Sequence, residues 1–226
     1  MNNEVEAYED EYYLHLPVDS GRIKTLLRHF DLRPHDTVCE IGCAAGHFLA
    51  EIAGDIESGI GLDTAEAAIA AANRRKAEDG LENIEFLQIA AQDFAAIEAH
   101  AGQFNYVLLM DVTEHIDDAI MAEVLIAARQ LLKDNGRLVI HTPNLGYWLE
   151  RLKDRGVITQ IRGHIAVRNE AQYLQLLENA GFLESNAIGL PHYRQPLRLV
   201  DLLLMRIPVL GNLFRARLFI VARNPS

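Results

Sequence analysis

The residues with chemical potential cluster in a few short stretches. Glu40, Asp63, Asp93, Asp111 and Glu114 each close or follow an apolar run, and His115, His141 and His164 stand after such runs or in a loop. Around Glu40 the chain reads Val38-Cys39-Glu40-Ile41-Gly42-Cys43-Ala44-Ala45-Gly46-His47-Phe48. Gly42 and Gly46 allow a tight turn and the close approach of a ligand to the backbone. A dinucleotide loop, G-x-G-x-x-G with a pyrophosphate on the following helix, would need glycine where Ala44 and His47 stand. Glu40 would also repel a pyrophosphate. A ligand with an ammonium group and no phosphate would be welcome there. Asp63 can accept hydrogen bonds from both hydroxyls of a ribose, or it can cap a helix over residues 64–79. Asp93 offers a second carboxylate, or again a cap. Histidine titrates near neutrality, so His115, His141 and His164 are candidate bases, with His115 and His164 preferred. His47 is expected to pack against or cap its own helix.

These groups need a scaffold that brings them to one edge. Strands are expected at TVCEIG, SGIGLD, NIEFLQIA, QFNYVLLMD and RLVIHTP. Between them, helical spacing marks GHFLAEIAG, the alanine-rich TAEAAIAAANRRKAEDG and IDDAIMAEVLIAARQLLKDNG, the last with an Asn-Gly stop. A helix beginning at Asp19 and Ser20 precedes the first strand. NEAQYLQLLENAGF is a helix, and FLESNAIGL and ARLFIVAR are strands. Strand–helix alternation with apolar strands predicts an α/β fold: a mostly parallel sheet with helices on both faces. Ligands of such sheets bind beyond the C-terminal strand ends, near the switch in strand order. No repeat or linker interrupts the chain, so a single domain over 1–226 is expected. Within it lie an arm and helix (1–35), a binding core (36–143) and an acceptor-side region (144–226).

S-adenosylmethionine carries an ammonium, a sulfonium, a ribose and an adenine, and so suits the carboxylates. The loop resembles motif I of class I S-adenosylmethionine-dependent methyltransferases, acid-x-G-x-G-x-G, with Ala44 at the middle glycine. FNYVLLMDVTEHI resembles the D/E-x-x-E-H pattern of the small-molecule type, including ubiquinone-biosynthesis O-methyltransferases. LLKDNGRLVIHTPN resembles the family's LLKPGGRLVISTPN, and PNLGYW and GHIAVRNEAQYLQLLENAGF are similar to methionine-biosynthesis methyltransferase-like proteins. The resemblance covers roughly residues 36–183. It implies a Rossmann-like sheet of seven strands with an antiparallel C-terminal strand. It implies cofactor contacts from Glu40, Gly42, Ala44, Gly46, Asp63, Thr64, Gln92, Asp93, Met110 and Asp111, with Asp93 on the adenine amino group. It implies methyl transfer to a small molecule, at oxygen with carbon or nitrogen as alternatives, on a hydrophobic, lipid-like or glycan-linked acceptor. In the ubiquinone-pathway enzymes a cluster like Asp111, Glu114 and His115 holds a metal. Here the preferred assignment is a helix cap for Glu114 and a cofactor contact for Asp111, so no metal is predicted. Two alternatives stand: a non-catalytic partner that keeps the fold, and a nucleotide-dependent oxidoreductase, which Ala44, His47 and Glu40 disfavour.

Composition narrows the classes further. The 226 residues carry 21 Lys+Arg against 32 Asp+Glu, a formal net charge of −11, which argues against nucleic acid as a partner. Two cysteines cannot make a disulfide framework. The acidic N-terminus is no secretory signal, and no stretch reaches the ~18 apolar residues of a membrane span. A cytoplasmic protein is expected. Tyr12, Tyr13 and His15 could close over the cofactor or anchor the arm. Residues 194–226 hold six arginines against one aspartate, interleaved with apolar residues. Such a segment suits peripheral contact with the inner membrane surface, a homodimer face, a lid or simple core packing.

Overall fold

The computed structural model describes residues 20–226; the acidic arm with Tyr12, Tyr13 and His15 lies outside them. Helix α1 (Ser20–Leu27) leads to β1 (Thr37–Ile41), α2 (His47–Ile52), β2 (Ser58–Asp63), α3 (Glu66–Asp79) and β3 (Ile84–Gln88). The chain continues through α4 (Phe94–Glu98), β4 (Phe104–Met110), α5 (Asp118–Leu131) and β5 (Leu132–Pro143). It closes with α6 (Trp148–Asp154), α7 (Glu170–Asn179), β6 (Leu183–Leu190), α8 (Leu197–Leu204) and β7 (Arg217–Arg223).

The seven strands form one Rossmann-like sheet in the order β3-β2-β1-β4-β5-β7-β6. β7 runs antiparallel to both β5 and β6, while β1, β2, β3, β4 and β5 pair in parallel. Burial explains the assignment. Along β4 every residue from Tyr106 to Met110 is buried, with successive side chains sent to opposite faces. Val107 and Leu109 join the face covered by Met121, Leu125 and Ala128 of α5 and Tyr173 and Leu177 of α7. Tyr106, Leu108 and Met110 join the face covered by Ile23 and Leu26 of α1, Leu49 and Ile52 of α2, and Ile69 and Ala72 of α3. Ala72 of α3 is buried in that face, and glycine is required at Gly61 of β2: a Cβ there would come within 2.5 Å of the Phe86 ring.

Several boundaries differ from those the sequence suggests. α5 stops at Leu131, and Leu132–Asn135 already belongs to β5. The Asn-Gly pair is absorbed in a bulge, since Phe104 pairs with Leu132 but Tyr106 with Arg137. The alanine-rich helix begins at Glu66 rather than Thr64, and α6 follows the fifth strand where none was expected.

The sheet order reverses between β1 and β4, and their pairing ends at Glu40 and Leu108, so the strand ends part where sheets of this kind form their ligand crevice. Left-handed backbone gathers there. Gly42, Ala44 and Gly46 have φ of 75°, 47° and 70°, and Asp111, next after β4, has 60°. Glycine takes these values without penalty, but alanine does not. Ala44→Gly should therefore raise unfolding stability by about 1 kcal/mol, read as a higher urea midpoint at unchanged m-value.

Candidate functional site

The bend after β1 is bound to β2 on both sides. The Gly42 and Cys43 amides donate to the Leu62 carbonyl at 2.7 and 3.0 Å. The Ala44 amide donates to Asp63 Oδ2 at 2.9 Å, and Asp63 Oδ1 accepts from the Ala65 amide at 3.0 Å. Asp63 thus fixes the bend and opens the way into α3 with the same carboxylate, while staying half-buried at the crevice. Arg75 Nε holds the Ala45 carbonyl at 3.1 Å from the far side. His47 lies at the start of α2, next after the N-cap Gly46; burial and the neighbouring Arg75 lower its pKa to about 4.

Glu40 sits beneath the bend and is 3% exposed. Its Oε2 is buried with no hydrogen-bond partner. Burial, reinforced by the Asp63 charge, pushes the carboxyl up to about 8. A cationic ligand at this position would satisfy the orphaned oxygen and favour its ionised form. The residues present therefore fit the ammonium-bearing nucleoside expected from sequence. Asp93 is exposed and caps α4, accepting from the Ala96 amide at 3.2 Å. Gln92 and Thr64 are exposed beside it on the neighbouring strand ends, and Met110 is buried at the end of β4.

Asp111 is already engaged. Arg22 of α1 and Arg217 of β7 both form ion pairs with its carboxylate, and His141 Nδ1 lies 3.1 Å away. His141 is 2% exposed, and burial and Arg22 lower its pKa well below the ordinary value. It is a neutral packing partner of Asp111 rather than an accessible base.

The structure separates Asp111 from Glu114 and His115 and brings in His164 instead. One ligand atom from each of Glu114, His115 and His164 lies within 4.8 Å of the others. The two imidazoles meet edge to face with centroids 5.0 Å apart. His115 Nδ1 contacts the Gly163 carbonyl at 3.0 Å, and His164 Nδ1 is buried without a hydrogen-bond partner. Burial and His115 lower the His164 pKa, so the ring is neutral and able to take a proton or a cation. Glu114 is buried; it accepts from the Thr142 hydroxyl at 3.3 Å, and burial raises its pKa to about 7. It does not cap α5; Asp117 does, through the Ile120 amide at 2.9 Å.

Arg168 holds this half of the site together, and sequence reasoning missed it. Its buried guanidinium donates to the carbonyls of Thr113, Ala166 and Ile116 at 2.7, 3.0 and 2.9 Å, and to Asp118 Oδ1 at 2.7 Å. The Ile165 and Ala166 amides bond the Glu114 carbonyl, so the loop carrying His164 is stitched to the turn carrying Glu114 and His115. Below them Thr113, Thr142 and Tyr173 share a buried hydroxyl network. The one sequence hint of this role was a lone arginine just before the Asn169–Gln172 capping box.

The profile of a methyltransferase domain family matches residues 17–183. Among curated proteins, the ubiquinone biosynthesis O-methyltransferase of Acinetobacter baumannii is 29% identical over 107 residues, and that of Thiobacillus denitrificans 32% over 107 residues. Each alignment covers 47% of this chain and 44% of the relative, so the chain spans under half the length of the curated relatives it matches. A SAM-dependent methyltransferase from Archaeoglobus fulgidus superposes with a TM-score of 0.67 at 17% identity, covering 90% of this chain and 93% of that one. Haemonchus contortus phosphoethanolamine N-methyltransferase 2, solved with S-adenosyl-L-methionine, gives 0.68 at 15% identity over 97% of this chain and 56% of its own. These similarities to solved structures establish the fold. The family match itself runs from before α1 to the first residue of β6, and on that extent the chain belongs to the methyltransferase domain family.

Proposed function

We propose that this protein binds S-adenosylmethionine at the β1–β4 crevice and methylates an oxygen of a small hydrophobic acceptor. The observation that carries the proposal is the buried, partnerless Oε2 of Glu40 beneath a glycine bend fixed by Asp63. Bound there, S-adenosylmethionine supplies a methyl group made electrophilic by a sulfonium. The residues expected to hold it are Glu40 and Asp63, with the backbone of Gly42, Ala44 and Gly46. Thr64, Gln92, Asp93, Met110 and Asp111 ring the crevice. The His115–His164 pair supplies the base: the neutral ring of one takes the acceptor's hydroxyl proton as its oxygen becomes the nucleophile. With Glu114 the pair also forms a donor set of one oxygen and two nitrogens that suits a divalent transition metal. Either role orients the acceptor oxygen for in-line attack.

The curated ubiquinone-pathway relatives support an oxygen acceptor. Calorimetry with S-adenosylmethionine, followed by assay for S-adenosylhomocysteine with metabolites captured by the protein, is the direct test. Binding without product on any captured acceptor would favour a non-catalytic partner instead.

Asp63→Ala should weaken S-adenosylmethionine binding by about 1–3 kcal/mol, because ligand hydroxyls lose their acceptor and the bend loses its tie; an unchanged Kd would remove the assignment. Glu40 is protonated in the free protein below about 8, and a bound cation favours its ionised form. Binding at pH 7 should therefore release a proton, and affinity should tighten as pH rises from 6 to 8 and level off above. Calorimetry in buffers of different ionisation enthalpy reads the proton, and Glu40→Gln should abolish its release. His164→Gln should lower kcat about 100-fold or more at unchanged S-adenosylmethionine Kd; equal turnover would exclude His164 as the base.

A further inference from the structure

Helix α8 is amphipathic the wrong way round for a helix packed on a core. Its lone acid, Asp201, is fully buried, accepting from the Tyr147 hydroxyl at 3.3 Å and the His192 amide at 2.8 Å. The residues on the opposite side, at helical spacing, are Leu199, Leu202 and Leu203, with Arg206 one turn on. Leu199 is 63% exposed and Leu203 68%. Val209, just beyond, is 88% exposed and held at φ 67°, a conformation unfavourable to a β-branched residue. An apolar tip therefore projects from the protein with its one carboxylate turned inward. Isolated exposed leucines need no explanation, but a continuous stripe does.

Charge names the occupant. The whole chain carries a formal −11, yet between residues 191 and 216 the arginines 194, 198, 206 and 215 face no acid other than the buried Asp201. None of the four makes an ion pair with any carboxylate among the described residues. A second copy meeting this face about a twofold axis would set arginines against arginines. An anionic bilayer offers the opposite: phosphates for the guanidinium groups and acyl chains for the leucines. The register fixes where this happens. Leu190 of β6 and Pro143 of β5 both pair with Arg217 at the start of β7, so the segment between β6 and β7 leaves the sheet from the edge that carries the crevice.

We propose that α8 and the turn after it dock this protein on an anionic membrane surface, with the crevice edge facing the lipid. The leucine stripe and Val209 enter the headgroup region, and Arg198 and Arg206 lie at phosphate level. Docking needs neither cofactor nor turnover, so it stands or falls apart from the methyl-transfer proposal.

The test is flotation of the full chain with phosphatidylcholine vesicles containing 30% phosphatidylglycerol, and with pure phosphatidylcholine vesicles. The protein should float with the anionic vesicles only, and 0.5 M NaCl should cut binding at least tenfold. Leu199→Glu/Leu203→Glu and, separately, Arg198→Gln/Arg206→Gln should each reduce binding at least tenfold while circular dichroism and the thermal midpoint stay unchanged. No flotation of the wild type at low salt would overturn the proposal, as would binding that neither double variant alters. A concentration-dependent dimer in sedimentation velocity that Leu199→Glu/Leu203→Glu dissolves would assign the face to a second copy and overturn it equally.

Discussion

A carboxyl group taken out of water with one oxygen left unsatisfied is costly to a fold, and Glu40 is in that state at the end of β1. Burial drives it toward the neutral acid, which lessens the cost without removing it. The surrounding geometry follows from this one group. The bend above it must be glycine-rich, because Gly42 and Gly46 hold positive φ and a Cβ on either would press into Val112 or Phe86. Asp63 must hold that bend from the neighbouring strand, although its own charge makes ionisation of Glu40 harder. Two carboxylates placed so close are poor structural choices and good choices for receiving a cation. The tension between stability and binding sits at the switch in strand order, where the fold leaves space.

The other side of the crevice is built by the reverse strategy, with the groups that support it supplied partners. Arg168 satisfies three carbonyls of two separate segments, and the hydroxyls of Thr113, Thr142 and Tyr173 support Glu114 from below. Rigid support of this kind fixes Glu114, His115 and His164 to one another while their outward atoms stay uncommitted. His164 Nδ1 is the plainest case, buried and without a partner.

Much of this was legible in the chain. Apolar runs such as Tyr106–Met110 and Leu138–Ile140 could only be central strands, and the carboxylates that follow such runs fell on one edge because parallel strands share a direction. Asp63 was readable because its alternatives, cap and ligand contact, both place it at that edge, and in the structure it is tied to the bend and to α3 at once. What stayed hidden depends on long-range pairing. Nothing near Asp111 announces Arg22 or Arg217, which arrive from α1 and β7. His164 joins Glu114 and His115 only through the bonds of its loop to Glu114 and His115 and the bridging by Arg168. The exposed face of α8 was ambiguous for a related reason: periodicity shows that a helix has two sides, and only packing shows which one is covered.

The Arg22–Asp111–Arg217 cluster has a mechanical consequence. A helix near the start of the described chain and its last strand close on one carboxylate at the centre of the sheet. Fraying of α1 or peeling of β7 would each remove a cation from the same anion, leaving the carboxylate to the other arginine. Helix α1 and strand β7, far apart in the chain, thus share one counter-charge, and loosening either shifts the electrostatic load onto the other.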